Sequence, residues 1–327
     1  MLDPIHPFPA KMAPEIAFEF LKDLPTNSIV LDPMCGSGVA MRSALENGHV
    51  AVGRDADPLA VLMTRVWTEN AQHSRLMCYA EDIVKKAKSR ERISVPWHDE
   101  EETKPFVEFW FARRQRDALA RLALSLDQSQ KVPEYALRAM KIALSRLIIT
   151  KTKGASLAWD VSHSRPHKKK DDNDFEVLTE FLKACEFLSK KLQGNKADWT
   201  STIKKGDARK LSLPDNSIDA VITSPPYMNA IDYMRGHRLA LVWLGYSLSD
   251  LRIVRSQSIG SEVTRQTQAS RAASRKKLPD AKTQRLMDHY IHDLGRLARE
   301  IKRVAKPKAS VCIITANSNL RGYEVPT

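Results

Sequence analysis

The 327 residues carry 52 Lys and Arg against 39 Asp and Glu, a formal charge of +13 at neutral pH, and 43% of them are hydrophobic. This is the composition of a folded chain large enough for one sizeable domain or a domain plus an insertion, and it excludes collagen-like, coiled-coil, low-complexity and disordered classes. The basic surplus points to a polyanionic partner, because Lys and Arg displace counterions from phosphates.

Apolar runs such as 218–222 and 311–315 are strand-sized and far short of a membrane span. The first fifteen residues hold no apolar stretch behind a basic start, so no secretory signal is expected. Cys35, Cys78, Cys185 and Cys312 are scattered, without C-x-x-C pairs or His partners at zinc spacing. The expectation is a cytoplasmic chain with reduced thiols, no disulfide framework, no metal and no membrane partner.

In chain order, the first strand–turn–helix unit runs from a β-rich stretch at Ile29 to Leu31, through Asp32-Pro33 and Gly36-Ser37-Gly38, into a helix over 40–46 closed by Gly48. A second strand over 50–53 ends in Arg54-Asp55, and a helix over 59–70 follows. Strand, glycine turn, helix and a strand ending in an acid open a doubly wound α/β sheet. Residues 75–198 then read as successive helices, with one apolar face carried by Leu137, Met140, Leu144, Leu147 and Ile148 and another by Phe181, Cys185, Leu188 and Leu192. The α/β pattern resumes with strands at 201–204 and 217–224, a helix near 231–244, a polar basic stretch over 252–282, a long amphipathic helix over 284–305 and a strand over 310–315. The expected organisation is a Rossmann-like sheet domain from 1–72 and 199–327, with a large helical insertion over 73–198.

Two motifs carry chemistry. In DPMCGSG, residues 32–38, the glycines allow close backbone approach to a nucleoside ligand, and Asp55 stands 17 residues after Gly38, near the spacing at which an acid meets ribose hydroxyls. In TSPPY, residues 223–227, two prolines stop a buried strand at its carboxyl end, where open α/β sheets place their sites.

These motifs resemble those of the amino-methyltransferases that methylate exocyclic nitrogens of DNA bases with S-adenosylmethionine. DPMCGSG is similar to their donor-binding motif, TSPPY to their catalytic motif, His6 to Pro14 to their N-terminal donor-site segment, and Gly206-Asp207 to the acid-bearing turn near the donor adenine. The resemblance implies donor binding by Lys11, Asp32, Pro33, Met34, Cys35, Gly36, Ser37, Gly38, Asp55 and Asp207, and catalysis by Ser224, Pro225, Pro226 and Tyr227. Met34 stands where the family usually has Phe, a swap that keeps apolar contact. Ser rather than Asp at the head of the motif favours cytosine N4 over adenine N6. A cytosine-C5 enzyme would need a nucleophilic Cys after a Pro, whereas Cys35 sits in the donor loop. Such sheets normally have seven strands and only five are counted, so either the last hairpin is absent or the chain is a truncated product.

The sulfonium methyl is already electrophilic, so the protein must position an amino group and raise its nucleophilicity. Ser224 Oγ and the Pro225 carbonyl are expected to accept one N–H each, and Tyr227 to stack on a base flipped from the duplex. Double-stranded DNA is the expected partner, and a cognate restriction endonuclease a candidate one. Contacts to DNA are assigned to two basic stretches. Residues 252–282 hold eight Lys and Arg against two acids, among them Arg265, Arg271, Arg275, Lys276 and Lys277. Residues 151–170 hold six against one, among them Arg165, Lys168, Lys169 and Lys170. His163 and His167 lack further ligands for a metal. Arg113 to Arg116 reads as a solvated face, Asp219 as a strand-entry residue, and Asp232 and Tyr233 as capping and packing their helix. The leading function is site-specific cytosine-N4 methylation of DNA within restriction–modification. Alternatives are adenine-N6 methylation, RNA base methylation and a catalytically inactive DNA-binding relative.

Overall fold

The computed structural model describes residues 2–325 except 10, 72, 92, 160, 162–165, 228–231, 260–280, 316 and 321–322. The chain begins with helix α1 (Pro14–Leu21), strand β1 (Ile29–Asp32), helix α2 (Val39–Glu46), strand β2 (Val50–Asp55) and helix α3 (Pro58–Thr68). Helices α4 (Leu76–Ser89), α5 (Thr103–Trp110), α6 (Arg113–Asp127) and α7 (Glu134–Arg146) follow, then short strands β3 (Ala158–Trp159) and β4 (His167–Lys168), and helix α8 (Val177–Leu192). The sheet resumes with β5 (Ser201–Lys205) and β6 (Ile218–Thr223), followed by α9 (Tyr233–Leu241), α10 (Leu248–Gln257), α11 (Ala281–Val304), β7 (Ala305–Ile313) and the strands β8 (Ser318–Leu320) and β9 (Tyr323–Val325).

Five strands form one sheet in the order β5-β2-β1-β6-β7, and every neighbouring pair is parallel. The chain winds outward from β1 to one side and then crosses to β6 on the other. The order therefore reverses between β1 and β6, so the connections leaving their carboxyl ends turn to opposite faces and leave a crevice outside them. Alternation along β1 sends Val30 to one face, with Ala17 and Leu21 of α1 and Met41 of α2, and Leu31 to the other, with Met287, Leu297 and Ile301 of α11. Both faces are covered over β1, β2 and β6, as a parallel sheet requires, while the edge strands β5 and β7 stay largely exposed.

Residues of α4, α6, α7 and α8 share a single buried cluster with Leu59 and Met63 of α3 and Leu239 of α9. Arg42 ties the helical block to the sheet. Its guanidinium lies 4.1 Å above the Trp199 ring and donates to the Trp67 carbonyl at 2.9 Å and to Asn195 Oδ1 at 2.6 Å.

The structure corrects several expectations. Helix α1 lies in a stretch to which the sequence pattern assigns no element, and α10 runs into the basic stretch that begins at residue 252. Residues 252–257 are helical because Ser247 and Asp250 form a reciprocal capping box that starts α10. Strand β7 begins at Ala305, five residues earlier than expected. As an edge strand it tolerates Pro307, and its pairing shifts register between Ile218 and Ala220. The main sheet has the five strands that were counted, and an antiparallel hairpin of β8 and β9 follows it. Gln115, placed on a solvated face, is buried and donates to the Asn173 carbonyl at 2.7 Å, while Arg116 pairs with Glu108 at 3.4 Å. Asp219 does serve strand entry, accepting from the Ile29 amide at 2.9 Å and from Lys306 at 2.7 Å.

Candidate functional site

The loop after β1 is held from both ends. Asp32 Oδ1, buried at the strand terminus, accepts from the Met34 amide at 3.0 Å and from Thr223 Oγ1 at 2.8 Å. This second bond links the glycine loop directly to the last residue of β6. Asp55 accepts from the Gly36 amide at 2.8 Å and from the Asp57 amide at 2.9 Å, so its two oxygens brace the glycine turn against the end of β2. Gly38 adopts φ +84°, and a Cβ there would lie 2.9 Å from Thr64 Oγ1 and 3.1 Å from Thr64 Cα. A side chain at Gly38 is therefore excluded both by backbone conformation and by helix α3. Gly38→Ala is expected to destabilise the fold by about 1–3 kcal/mol, measured as a shift in the urea unfolding midpoint.

Burial raises the carboxyl of Asp32 to about 7, against the lowering effect of the Thr223 hydrogen bond. Burial, followed by the neighbouring Asp57, raises Asp55 to about 7 as well, although Asp55 keeps partial exposure toward the cavity. Burial also pushes the Cys35 thiol upward, which fits a small loop residue and not a nucleophile. A folded-state pKa above the unfolded value means the native state binds the extra proton. Stability from Asp32 is thus present near pH 4 and falls as pH rises toward 7. Wild type should lose more stability than Asp32→Asn between pH 5 and pH 8. Equal losses in denaturation titrations would refute this assignment.

At the end of β6 the catalytic-type motif turns out of the sheet. Ser224 Oγ donates to the Ile314 carbonyl at 3.2 Å, so the hydroxyl hydrogen is committed to the end of the neighbouring strand and the oxygen lone pairs stay available. The Pro226 carbonyl accepts from Tyr290 Oη of α11 at 3.0 Å, which fixes the direction of the Pro-Pro turn.

Both motifs open on one cavity of about 430 Å³, in the size range of nucleoside-type ligand sites. It is lined by Lys11, Asp32, Pro33, Met34, Cys35, Gly36, Ser37, Asp55 and Asp207, and also by Ser224, Pro225, Pro226 and Tyr227. Gly38 does not line it, standing instead as the N-cap of α2 against Thr64. Asp207 is buried in part, which works against ionisation, but the side chain and amide of Arg209 hold its carboxyl below the usual range.

Sequence reasoning missed several residues here. The Phe8 ring stacks on Tyr233 with centroids 5.2 Å apart and touches the Gly36 turn, giving the cavity an aromatic wall. His237 of α9, buried, is hydrogen-bonded through Nδ1 to Asp57 Oδ2 at 2.5 Å, joining the β2–α3 turn to the helix after the Pro-Pro motif. His6, in contrast, turns away from the cavity. Its Nε2 lies 2.9 Å from Ser145 Oγ of α7, and burial lowers its pKa to about 3. Phe8 was visible only as one aromatic in a proline-rich stretch, and His237 carried no motif.

The basic stretches divide. Lys168, Lys169 and Lys170 are exposed on and after the β3–β4 pair, and Lys168 Nζ lies 5.2 Å over the Phe109 ring, itself 52% exposed. Arg165, Arg265, Arg271, Arg275, Lys276 and Lys277 lie outside the described residues. Arg252 and Arg255 belong to α10, where they pair with Glu102 and Asp232. Asp232 holds the N-cap position of α9, but its carboxylate engages arginines and makes no side-chain capping bond. Among the described residues no cluster of three or more His, Cys, Asp or Glu is placed to hold a metal, and no helix is long and apolar enough to cross a membrane.

A parallel, doubly wound sheet whose cavity gathers a glycine loop and an Ser-Pro-Pro-Tyr turn at the switch point is consistent with a Rossmann-like methyltransferase. No protein-family model matches the chain. It is similar to the Type II methyltransferase M.MvaI of Kocuria varians, 22% identical over 98% of this chain and 78% of that protein. The Type II methyltransferase M.AvaI of Nostoc sp. is 21% identical over 97% of this chain and 74% of its own length. M.BsoBI of Geobacillus stearothermophilus, also a Type II methyltransferase, is 25% identical over 35% of this chain and 30% of that protein.

Proposed function

We propose that this protein is a site-specific DNA methyltransferase of a restriction–modification system that transfers a methyl group from S-adenosylmethionine to the N4 amino group of cytosine. The observation that carries the reading is the shared cavity, in which Ser224 to Tyr227 face the loop of residues 32–37 across the β1–β6 crevice. Near full-length similarity to Type II methyltransferases supports it.

The residues present fit the donor. Gly36 keeps the loop open to close approach, Met34 and Phe8 offer apolar walls, Asp55 and Asp207 offer acceptors for hydroxyl or amino groups, and Lys11 offers a cation for a carboxylate. When bound, S-adenosylmethionine supplies an electrophilic methyl on sulfur. Ser224 Oγ accepts one amino N–H of the target base through its free lone pairs, and the Pro225 carbonyl accepts the other. With both N–H bonds held, the nitrogen becomes more pyramidal and its lone pair less delocalised into the ring. Tyr227 stacks on the base, offsetting the stacking lost when it leaves the duplex. The Asp32–Thr223 bond keeps the two motifs in mutual register, the kind of placement on which such a reaction depends.

In this reading Lys168, Lys169 and Lys170, with Arg165 and the segment holding Arg265, Arg271, Arg275, Lys276 and Lys277, contact the DNA backbone. Residues 73–198 then form a helical insertion that takes part in recognition. The test is to incubate the protein with labelled S-adenosylmethionine and plasmid DNA or tRNA and to identify the product nucleoside by mass spectrometry. N4-methylcytosine is expected. N6-methyladenine moves the target to adenine, label in tRNA alone replaces DNA by RNA, and donor binding without transfer identifies an inactive relative.

A further inference from the structure

Among the charged side chains that line the cavity, Asp232, Arg235 and Arg255 stand at α9 and α10 and have no part in the donor or base contacts proposed above. Arg255 comes from α10, while Asp232 and Arg235 lie at the start of α9. Arg255 Nη2 stands 2.6 Å from Asp232 Oδ2, and Arg235 Nε stands 3.4 Å from the same oxygen. Their side chains are 30%, 39% and 26% exposed for Arg255, Arg235 and Asp232, so they reach solvent while sharing the cavity with Ser224 and Tyr227.

A third guanidinium, that of Arg238, lies one turn along α9 and rests 5.0 Å from the Phe106 ring. Burial, and next the charge of Arg255, lower its pKa. Among the described residues Asp232 is the carboxylate in ion-pair distance of Arg235 and Arg255. One acid therefore pairs with the two arginines that line the cavity, and Asp232, Arg235 and Arg255 together keep a net positive charge there.

We infer that Arg235 and Arg255 bind the DNA backbone phosphates that flank the base entering the cavity, with Asp232 holding both guanidiniums in position in the free protein. The inference rests on the DNA methyltransferase reading above. A base that swings out of a duplex brings its own sugar–phosphate links to the pocket opening. Guanidinium forks match phosphate oxygens in a bidentate manner that a lysine does not reproduce. A donor carboxylate needs one cation, and Lys11 already lines the cavity, which leaves the arginine pair for a second anion.

The experiment measures duplex DNA binding by fluorescence anisotropy between 50 and 200 mM salt (about one to four times the lower value) for wild type, Arg235→Gln, Arg255→Gln and the double variant. Each single change is expected to lower the slope of log K against log salt by about 0.9, and the double change by about twice that. The affinity for S-adenosylmethionine, measured by calorimetry, should stay within about twofold of wild type, equivalent to roughly 0.4 kcal/mol, which also serves as the control for folding. Should the Gln variants not fold, Arg235→Lys and Arg255→Lys decide the matter: a wild-type slope with weakened affinity is expected, since charge remains and the fork is lost. An unchanged slope in the double variant overturns the inference, as does a loss of donor affinity with the slope intact, which would assign the guanidiniums to the donor carboxylate. Methyl transfer is assayed separately. Altered slopes without any transfer by wild type remove the catalytic reading and keep the clamp, whereas transfer with unchanged slopes removes the clamp alone.

Discussion

Replacing Ser224 by Ala is expected to lower methyl transfer by about 10²-fold while the affinity for S-adenosylmethionine stays close to wild type. The hydroxyl spends its hydrogen on the Ile314 carbonyl, so the oxygen acts toward the base as an acceptor. Removing it deletes one of two acceptors that hold the amino group and lets the nitrogen relax toward planarity. The donor loop does not depend on this group, because Asp32 and Asp55 brace that loop independently. Single-turnover rates under saturating donor, set beside calorimetric donor affinity, separate the two effects. A variant that loses donor binding in proportion to rate would show that Ser224 belongs to the donor site, and the division of the cavity drawn above would fall. Tyr227→Ala should act in the same direction, with its loss appearing in part as weaker binding of the target base, since stacking on an aromatic ring contributes about 1–3 kcal/mol per base.

The second large effect concerns stability. Arg42→Ala should lower the unfolding free energy by about 3–5 kcal/mol, read from denaturant titration of the full chain. Arg42 is nearly inaccessible, and besides its contacts to Trp67, Asn195 and Trp199 it pairs with Glu46 at 2.9 Å. Deleting the guanidinium leaves the Trp67 carbonyl and Asn195 Oδ1 without their donor, and leaves Glu46 with only Lys196, at 4.0 Å, as a cation partner. The functional consequence is indirect. Arg42 joins α2, which follows the glycine loop, to the chain between α8 and β5, so its loss should loosen the helical block against the sheet before it alters the cavity. Increased protease cleavage between residues 73 and 198, with donor affinity less affected, is the accompanying expectation. A change below about 1 kcal/mol would show that this network is not the joint inferred from its geometry.

Much of the sheet and of the candidate site could be read from local sequence. DPMCGSG and TSPPY lie within short stretches whose backbone needs are local: glycines for a tight turn, and prolines to end a strand. The alternation of strands and helices placed all five sheet strands, and the three central ones, β1, β2 and β6, read as mainly apolar runs because they are buried on both faces. What local pattern could not supply was pairing between distant residues. Asp32 meets Thr223, Asp57 meets His237, and Phe8 meets Tyr233 across separations that no periodicity encodes. Arg252 and Arg255 illustrate the same limit. In sequence they begin a polar basic stretch with no element assigned, yet the capping box at Ser247 carries them into a helix and Asp232 pairs with Arg255 at the cavity.

Length and charge thus acquire different standing. Composition established a folded, basic chain suited to a polyanion, and the motifs pointed to the residues proposed above as a donor loop and an amino-group acceptor. Only the tertiary structure decided that both motifs share one cavity, because that depends on the reversal of strand order between β1 and β6. It also decided which positive charges face that cavity and which are spent on ion pairs elsewhere. Charge counts along a chain are additive and blind to direction, whereas a binding surface depends on where each side chain points and on the acid already beside it.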